Sequence, residues 1–172
     1  MKSVSTLLVL LLAGCGKSAP PPESEARRLL AEAGFPGGKG FPRLELVYNT
    51  SEAHKKIAAR LQENWRRGLG IEVGLANAEW KVFLDRVQQK DFDIARRAWI
   101  GEYLDPHAFL DLFTAGSLQN PTGWTSPEYD RLVSESNGVK DPAARRVLLE
   151  RAERLLLDEA PIFPVYHYVA HN

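Results

Sequence analysis

From Leu44 to Trp99 the chain reads LELVYNTSEAHKKIAARLQENWRRGLGIEVGLANAEWKVFLDRVQQKDFDIARRAW, and the periods inside this stretch decide the fold. Leu44 to Asn49 alternates Leu44, Leu46 and Tyr48 against Glu45, Val47 and Asn49, the period-2 pattern of a strand. Ser51 is placed to cap a helix in which Ile57, Leu61 and Trp65 recur four apart, with Gly68 and Gly70 closing it. Ile71 to Ala76 reads as a second strand. Asn77 is placed to cap a second helix, where Trp80, Phe83, Leu84 and Val87 follow the i, i+3, i+4, i+7 template. Phe92 to Trp99 reads as a third strand, with Phe92, Ile94 and Ala98 on one face. Strand, helix, strand, helix, strand in this span predicts an α/β fold: a mixed, mainly parallel sheet flanked by helices. In such sheets ligands collect outside the carboxyl ends of the strands, so segments 49–54, 77–80 and 96–102 are expected along one rim.

Outward from this stretch, Ser24 is placed to cap a short helix through Ala33, and the glycine-rich run 35–42 reads as loop. Downstream, Ser126-Pro127 and Asp141-Pro142 each pair a capping residue with proline at the first helical position, predicting helices to about Glu135 and Glu159. Leu148, Ala152 and Leu155 or Leu156 form the expected buried stripe of the second. Ile162 to Val169 reads as a final strand, with Pro164 pointing to a late start or an edge position. Between strand and helices, residues 92–113 gather Arg96, Trp99, Glu102, Tyr103 and Asp105 around Pro106. Both charge signs beside aromatic surface suit a zwitterion.

The chain has 172 residues, 44% hydrophobic and 26% charged, with 22 basic side chains balancing 22 acidic ones. That composition fits an ordinary folded domain, and the charge balance gives no sign of a nucleic-acid partner. At the N-terminus Lys2 precedes an apolar run, Val4 to Leu12, too short to span a bilayer core of ~30 Å. Leu12-Ala13-Gly14-Cys15 follows and resembles the lipobox of bacterial lipoproteins. It predicts a signal peptide over 1–14, lipidation of Cys15, and an anchored tether over 15–24 in which Pro20, Pro21 and Pro22 favour extended chain. Cys15 is the only cysteine, so no disulfide forms within one chain. Gly16-Lys17-Ser18 is not a phosphate loop, because Leu11 occupies the position of the upstream glycine.

Tyr48-Asn49-Thr50-Ser51-Glu52-Ala53-His54-Lys55-Lys56, Asn77-Ala78-Glu79-Trp80, Phe92-Asp93-Ile94-Ala95-Arg96, Trp99, Tyr103-Leu104-Asp105-Pro106 and Pro161 to Val169 occur in order. Together they resemble the C-terminal part of the oligopeptide- and dipeptide-binding proteins of bacterial ABC importers, solute-binding protein family 5. The resemblance covers nearly all of 25–172 and implies one lobe of a periplasmic-binding-protein-like type II fold. In that family a peptide lies between two lobes, held by its main chain and termini. The resemblance implies that Arg96 and His54 receive a peptide carboxylate and that Trp80 and Trp99 line side-chain pockets. It also implies that Glu102, where the family commonly has an aspartate, faces the peptide amino group. Arg97 departs from the small residue more usual at its position. The implied partners are short peptides, an importer permease and, through lipid, a membrane; the implied location is periplasmic or cell-surface. No cofactor or metal is expected.

Four of the site residues have a plainer reading, and Trp99, on the strand face opposite Ile94, has its burial left open. Arg96 and Glu102 suit a structural salt bridge, His54 a solvated helix turn, and Trp80 the core stripe of its helix. His167 and His171, four apart on a predicted strand, do not share the geometry of a helical metal pair and read as structural. Asp91 with Asp93, and Glu102 with Asp105, pair carboxylates as acid/base chemistry requires, but no nucleophile stands near a His-Asp pair, so catalysis is not expected. Family proteins are several times longer, so the resemblance also implies a first lobe absent from this sequence, whether cut away or separately encoded. Two functions follow as expectations: a peptide-binding component of an importer, or an anchored scaffold that keeps the lobe without capturing peptide.

Overall fold

A computed structural model describes residues 23–166. Cys15, the signal and tether segments up to residue 22, His167, His171 and the end of the expected last strand lie outside those residues. The described chain forms two compact units, residues 23–98 and 99–166.

The first unit opens with helix α1 (Glu23–Glu32), which includes Ser24 rather than being capped by it. Strand β1 (Leu44–Asn49), helix α2 (Glu52–Leu69), strand β2 (Val73–Ala78), helix α3 (Trp80–Gln89) and strand β3 (Ile94–Ala95) follow. The strands lie in the order β2-β1-β3, and both pairings are parallel, with Leu44 opposite Val73, Asn49 opposite Ala78, and Leu46 opposite Ile94. Val47 packs with Ala78, Phe83 and Val87, so α3 covers one face of the sheet. Leu46 and Tyr48 point to the other face by the alternation of the strand, and both are buried. Burial on two sides explains why β1 is apolar at three successive positions. Leu61, Trp65 and Leu69 are the buried stripe of α2, and Gly70 ends that helix in the left-handed conformation at φ 71°.

Beyond α1, the expected bounds in this unit shift at three places. β2 runs two residues later than expected, because its ladder with β1 extends to Ala78. Asn77 is therefore a strand residue and not a cap. Glu79 caps α3 instead, its carboxylate accepting the Lys81 amide at 2.9 Å. The third strand is two residues rather than eight, and the Arg96 amide adds one further bond, donating to the Val47 carbonyl at 2.9 Å.

The second unit holds helix α4 (His107–Leu110), a short 3-10 turn over Asp111–Phe113, helix α5 (Pro127–Gly138) and helix α6 (Pro142–Glu159). Both expected caps form. Ser126 accepts the Tyr129 amide, and the Asp141 carboxylate accepts the amides of Ala143 and Ala144. The core joins Leu110 to Tyr129, Leu132 and Val133 of α5 and to Leu149, Ala152 and Leu156 of α6. Leu148, expected in the stripe, is only half-buried beside it, and Leu149 takes the central place. Tyr129 is fully buried; its hydroxyl donates to the Leu110 carbonyl at 2.6 Å, and its ring meets Trp124 edge-on at 5.0 Å. Residues 162–166 form no strand.

Candidate functional site

Because all three strands are parallel, the ends of β1, β2 and β3 emerge at one edge of the sheet. Thr50 and Asn77 tie the first two ends together. The Thr50 amide donates to the Ala78 carbonyl at 2.9 Å, and its hydroxyl lies 2.8 Å from Asn77 Oδ1 and 3.1 Å from that same carbonyl. α2 starts at this edge without a side-chain cap, since the Ser51 hydroxyl makes no capping bond. Its first amides therefore face outward as donors, at the positive end of the helix dipole.

The structure brings His54 and Arg96 to this edge together. His54 stands in the first turn of α2, half-buried, with Nδ1 3.3 Å from the Asn49 carbonyl oxygen. Partial burial holds its imidazolium below the usual histidine range, and the positive charge of Arg96 adds to the effect; the Asn49 carbonyl opposes both. Arg96 follows β3 directly and is 8% exposed, the one charged residue among the buried described residues. Its burial continues the inward face begun by Ile94. Trp80 heads α3, immediately beyond β2. It is 55% exposed and stacks on Phe83 at 6.0 Å, while Phe83 and Val87 take the core positions. The helical stripe therefore divides, with Trp80 and Leu84 left at the surface.

Trp99 and Glu102 belong to the second unit. Trp99 is half-buried, and its indole Nε1 is a buried donor with no hydrogen-bond partner among the described residues. Glu102 is exposed in the bend that leads to α4, and its carboxylate has no hydrogen bond or ion pair among the described residues. The bend itself is firmly held. Arg145 of α6 donates to both oxygens of Asp105, at 2.6 and 2.9 Å, and the His107 amide adds a third bond at 2.8 Å. These donors hold the Asp105 carboxyl below its ordinary range, the Arg145 bond being the largest cause. Tyr103 and His107 close the turn, with the phenol oxygen 3.0 Å from Nδ1.

Three of the four carboxylates paired in the sequence have structural partners. Asp105 holds Arg145, Asp93 accepts the Glu45 amide at 2.9 Å, and Asp91 lies 3.4 Å from Arg86. The Asp105–Arg145 pair escaped the sequence reading because its members stand forty residues apart and no local spacing signals it. The Thr50–Asn77 bond was hidden for the same reason, although both residues lie in segments expected on the rim.

Comparison with known proteins shows the family. The family profile "Bacterial extracellular solute-binding proteins, family 5 Middle" matches residues 15–121. The chain is similar to the oligopeptide-binding protein OppA of Bacillus subtilis, 40% identical over 140 residues, covering 81% of this chain and 26% of that protein. It is also 40% identical over 154 residues to the periplasmic oligopeptide-binding protein OppA of Escherichia coli, covering 90% of this chain and 28% of the relative. Among solved structures, the Escherichia coli murein tripeptide-binding protein MppA superposes with a TM-score of 0.82 at 34% identity, over 91% of this chain and 32% of that one. A periplasmic oligopeptide-binding protein of an oligopeptide ABC transporter from Borrelia burgdorferi gives 0.80 at 32% identity, over 87% and 30%. The chain thus spans about a quarter of the length of the curated relatives it matches. A parallel-sheet lobe of type II architecture, with these matches along most of its length, belongs to family 5 of the bacterial extracellular solute-binding proteins, a family of transport binding proteins rather than enzymes.

Proposed function

We propose that this chain supplies one wall of the peptide-binding cleft of an extracytoplasmic solute-binding protein that delivers short peptides to an ABC importer permease. The observation that carries the reading is that the parallel strands β1 and β3 lead to one sheet edge, where buried Arg96 follows β3 and His54 stands in the first turn of α2, beside its uncapped start. A buried guanidinium and a row of helix amides suit a carboxylate. Glu102, exposed and without a partner among the described residues, suits a peptide amino group. Trp80 and Trp99 suit the walls of side-chain pockets, the first by its exposed ring and the second by its unmatched indole donor. Residues 25–172 are read as the C-terminal part of the family fold. Residues 1–14 are read as a signal peptide, and 15–24 as a tether lipidated at Cys15, which would anchor the domain by lipid in the periplasm or at the cell surface.

Micromolar affinity corresponds to about 8 kcal/mol. Two or three charged contacts supply roughly 1.5–3 kcal/mol each when desolvated, and less where water screens them. One wall alone is therefore expected to bind no tighter than roughly millimolar. Calorimetric titration of the folded chain with di- to tetrapeptides tests this. Heat at millimolar peptide, lost in Arg96→Ala, supports it, and no heat from protein shown folded by circular dichroism refutes it for this chain. A second reading, an anchored interaction module that does not capture peptide, is favoured by the exposed apolar side chains of Ile100, Leu104 and Leu118. The same absence of heat would select it.

A further inference from the structure

We infer that His54 presents Nε2 as a bare acceptor to the ligand, so that this site accepts a carboxylate at His54 only by taking up a proton. The inference rests on the peptide-binding reading and adds to it a rule for choosing the ligand's end group. A carbonyl oxygen has no proton to give, so the contact between Nδ1 and the Asn49 carbonyl requires the proton on Nδ1. The neutral ring then carries its lone pair on Nε2, which has no hydrogen bond among the described residues and is not a sealed atom. A lone pair repels a carboxylate oxygen and accepts an N–H. Only the doubly protonated ring donates from Nε2 while keeping its bond to Asn49.

The surroundings make that second proton costly until an anion arrives. Arg96 is the charged side chain acting on His54 from the β3 side, Asn49 of β1 meets it through its backbone carbonyl and carries no charge, and Glu52, Lys55 and Lys56 on its own helix are exposed. The uncapped helix start adds further positive potential. A bound carboxylate reverses this balance and raises the proton affinity of the ring. By linkage, preference for a peptide acid over the corresponding C-terminal amide then grows as pH falls. The gain is about tenfold for each pKa unit that the ligand adds to His54. The pH dependence is therefore assigned to His54 and not to Arg96, a guanidinium, the type of group that does not lose its proton in proteins.

Two measurements on the full chain decide the matter. Long-range 1H–15N spectra of the imidazoles at about pH 8, well above the ordinary histidine pKa, are expected to show His54 protonated at Nδ1. Protonation at Nε2 overturns the inference whether or not any peptide binds. Calorimetry with trialanine and trialanine amide at about pH 8 and about pH 5.5, in buffers of differing ionisation enthalpy, reads the second part. The acid-to-amide affinity ratio is expected to rise on acidification with net proton uptake, and His54→Gln, which keeps a donor at every pH, is expected to flatten it. Binding of both peptides with a constant ratio overturns the inference and leaves the peptide-binding reading standing. Failure of both to bind overturns that reading and this inference with it.

Discussion

Replacing Gly38 by alanine tests how the loop after α1 is seated on the end of α2. Gly38 has φ +81°, and a Cβ built there would lie 2.3 Å from the Gly70 carbonyl oxygen and 2.9 Å from that of Leu69. Gly40 provides the control: its φ is +75°, nearly the same, but nothing lies within 4 Å of its would-be Cβ. Both variants pay the left-handed penalty of roughly 1–2 kcal/mol. Only Gly38→Ala must also move backbone by about an ångström to restore van der Waals contact, an overpacking cost of roughly 1–3 kcal/mol. The constraint is reciprocal, since a Cβ on Gly70 would meet the Gly37 carbonyl oxygen at 2.4 Å. Urea unfolding followed by tryptophan fluorescence suits the test, because Trp65 is buried in this unit at 1% exposure. The expected outcome is a lower midpoint for Gly38→Ala than for Gly40→Ala at unchanged m-value, with about 1–3 kcal/mol between them. Equal midpoints would refute the steric argument and reduce both positions to their backbone angle.

In the second unit, Tyr129→Phe leaves the Leu110 carbonyl without its buried donor and is expected to cost about 1–3 kcal/mol in chemical denaturation; a loss below half of that would show that water replaces the hydroxyl. Asp105 has a folded pKa below its unfolded value, so its contribution is present above the unfolded pKa and is lost as pH falls through the folded one. Acid titration of stability is expected to show this loss below about pH 4, and Asp105→Asn should remove it. Asp141→Ala removes the cap of α6 and is expected to cost about 1 kcal/mol, seen as a lower urea midpoint and loss of helical circular dichroism on heating. If peptides bind, Glu102→Gln should weaken peptides with a free amino group and leave N-acetylated ones unchanged by calorimetry; equal weakening of both would move the amino-group contact elsewhere.

Legibility in the sequence followed the range of the interactions. Caps at Ser126 and Asp141 were readable because a cap is a contact across two or three residues. The cap of α3 was misplaced because Asn77, the better capping residue by type, is held in the β2 ladder opposite Tyr48, leaving Glu79 the role. The third strand was overextended for a related reason. Its alternating pattern runs on to Trp99, but its ladder with β1 ends at the Arg96 amide. A chain can alternate without a partner to pair with. At the edge of the sheet, His54 and Arg96 are candidates whose joint role only family resemblance suggests, and their proximity depends on β3 lying beside β1, which no local spacing signals. The exposure of Trp80 could not be read from its helical phase, which equally suited the core.

The bidentate bond from Arg145 to Asp105 makes the bend that carries Glu102 a dependency of α6. Glu102 stands three residues before the clamp, so the backbone that carries it is tied at Asp105 to a helix with no direct part in the proposed chemistry. Packing changes beneath Leu149, Ala152 or Leu156 would be transmitted through Arg145 as small displacements of that charge. If Glu102 meets a peptide amino group as proposed, substitutions at these core positions of α6 are expected to change affinity for that group without altering Glu102 itself.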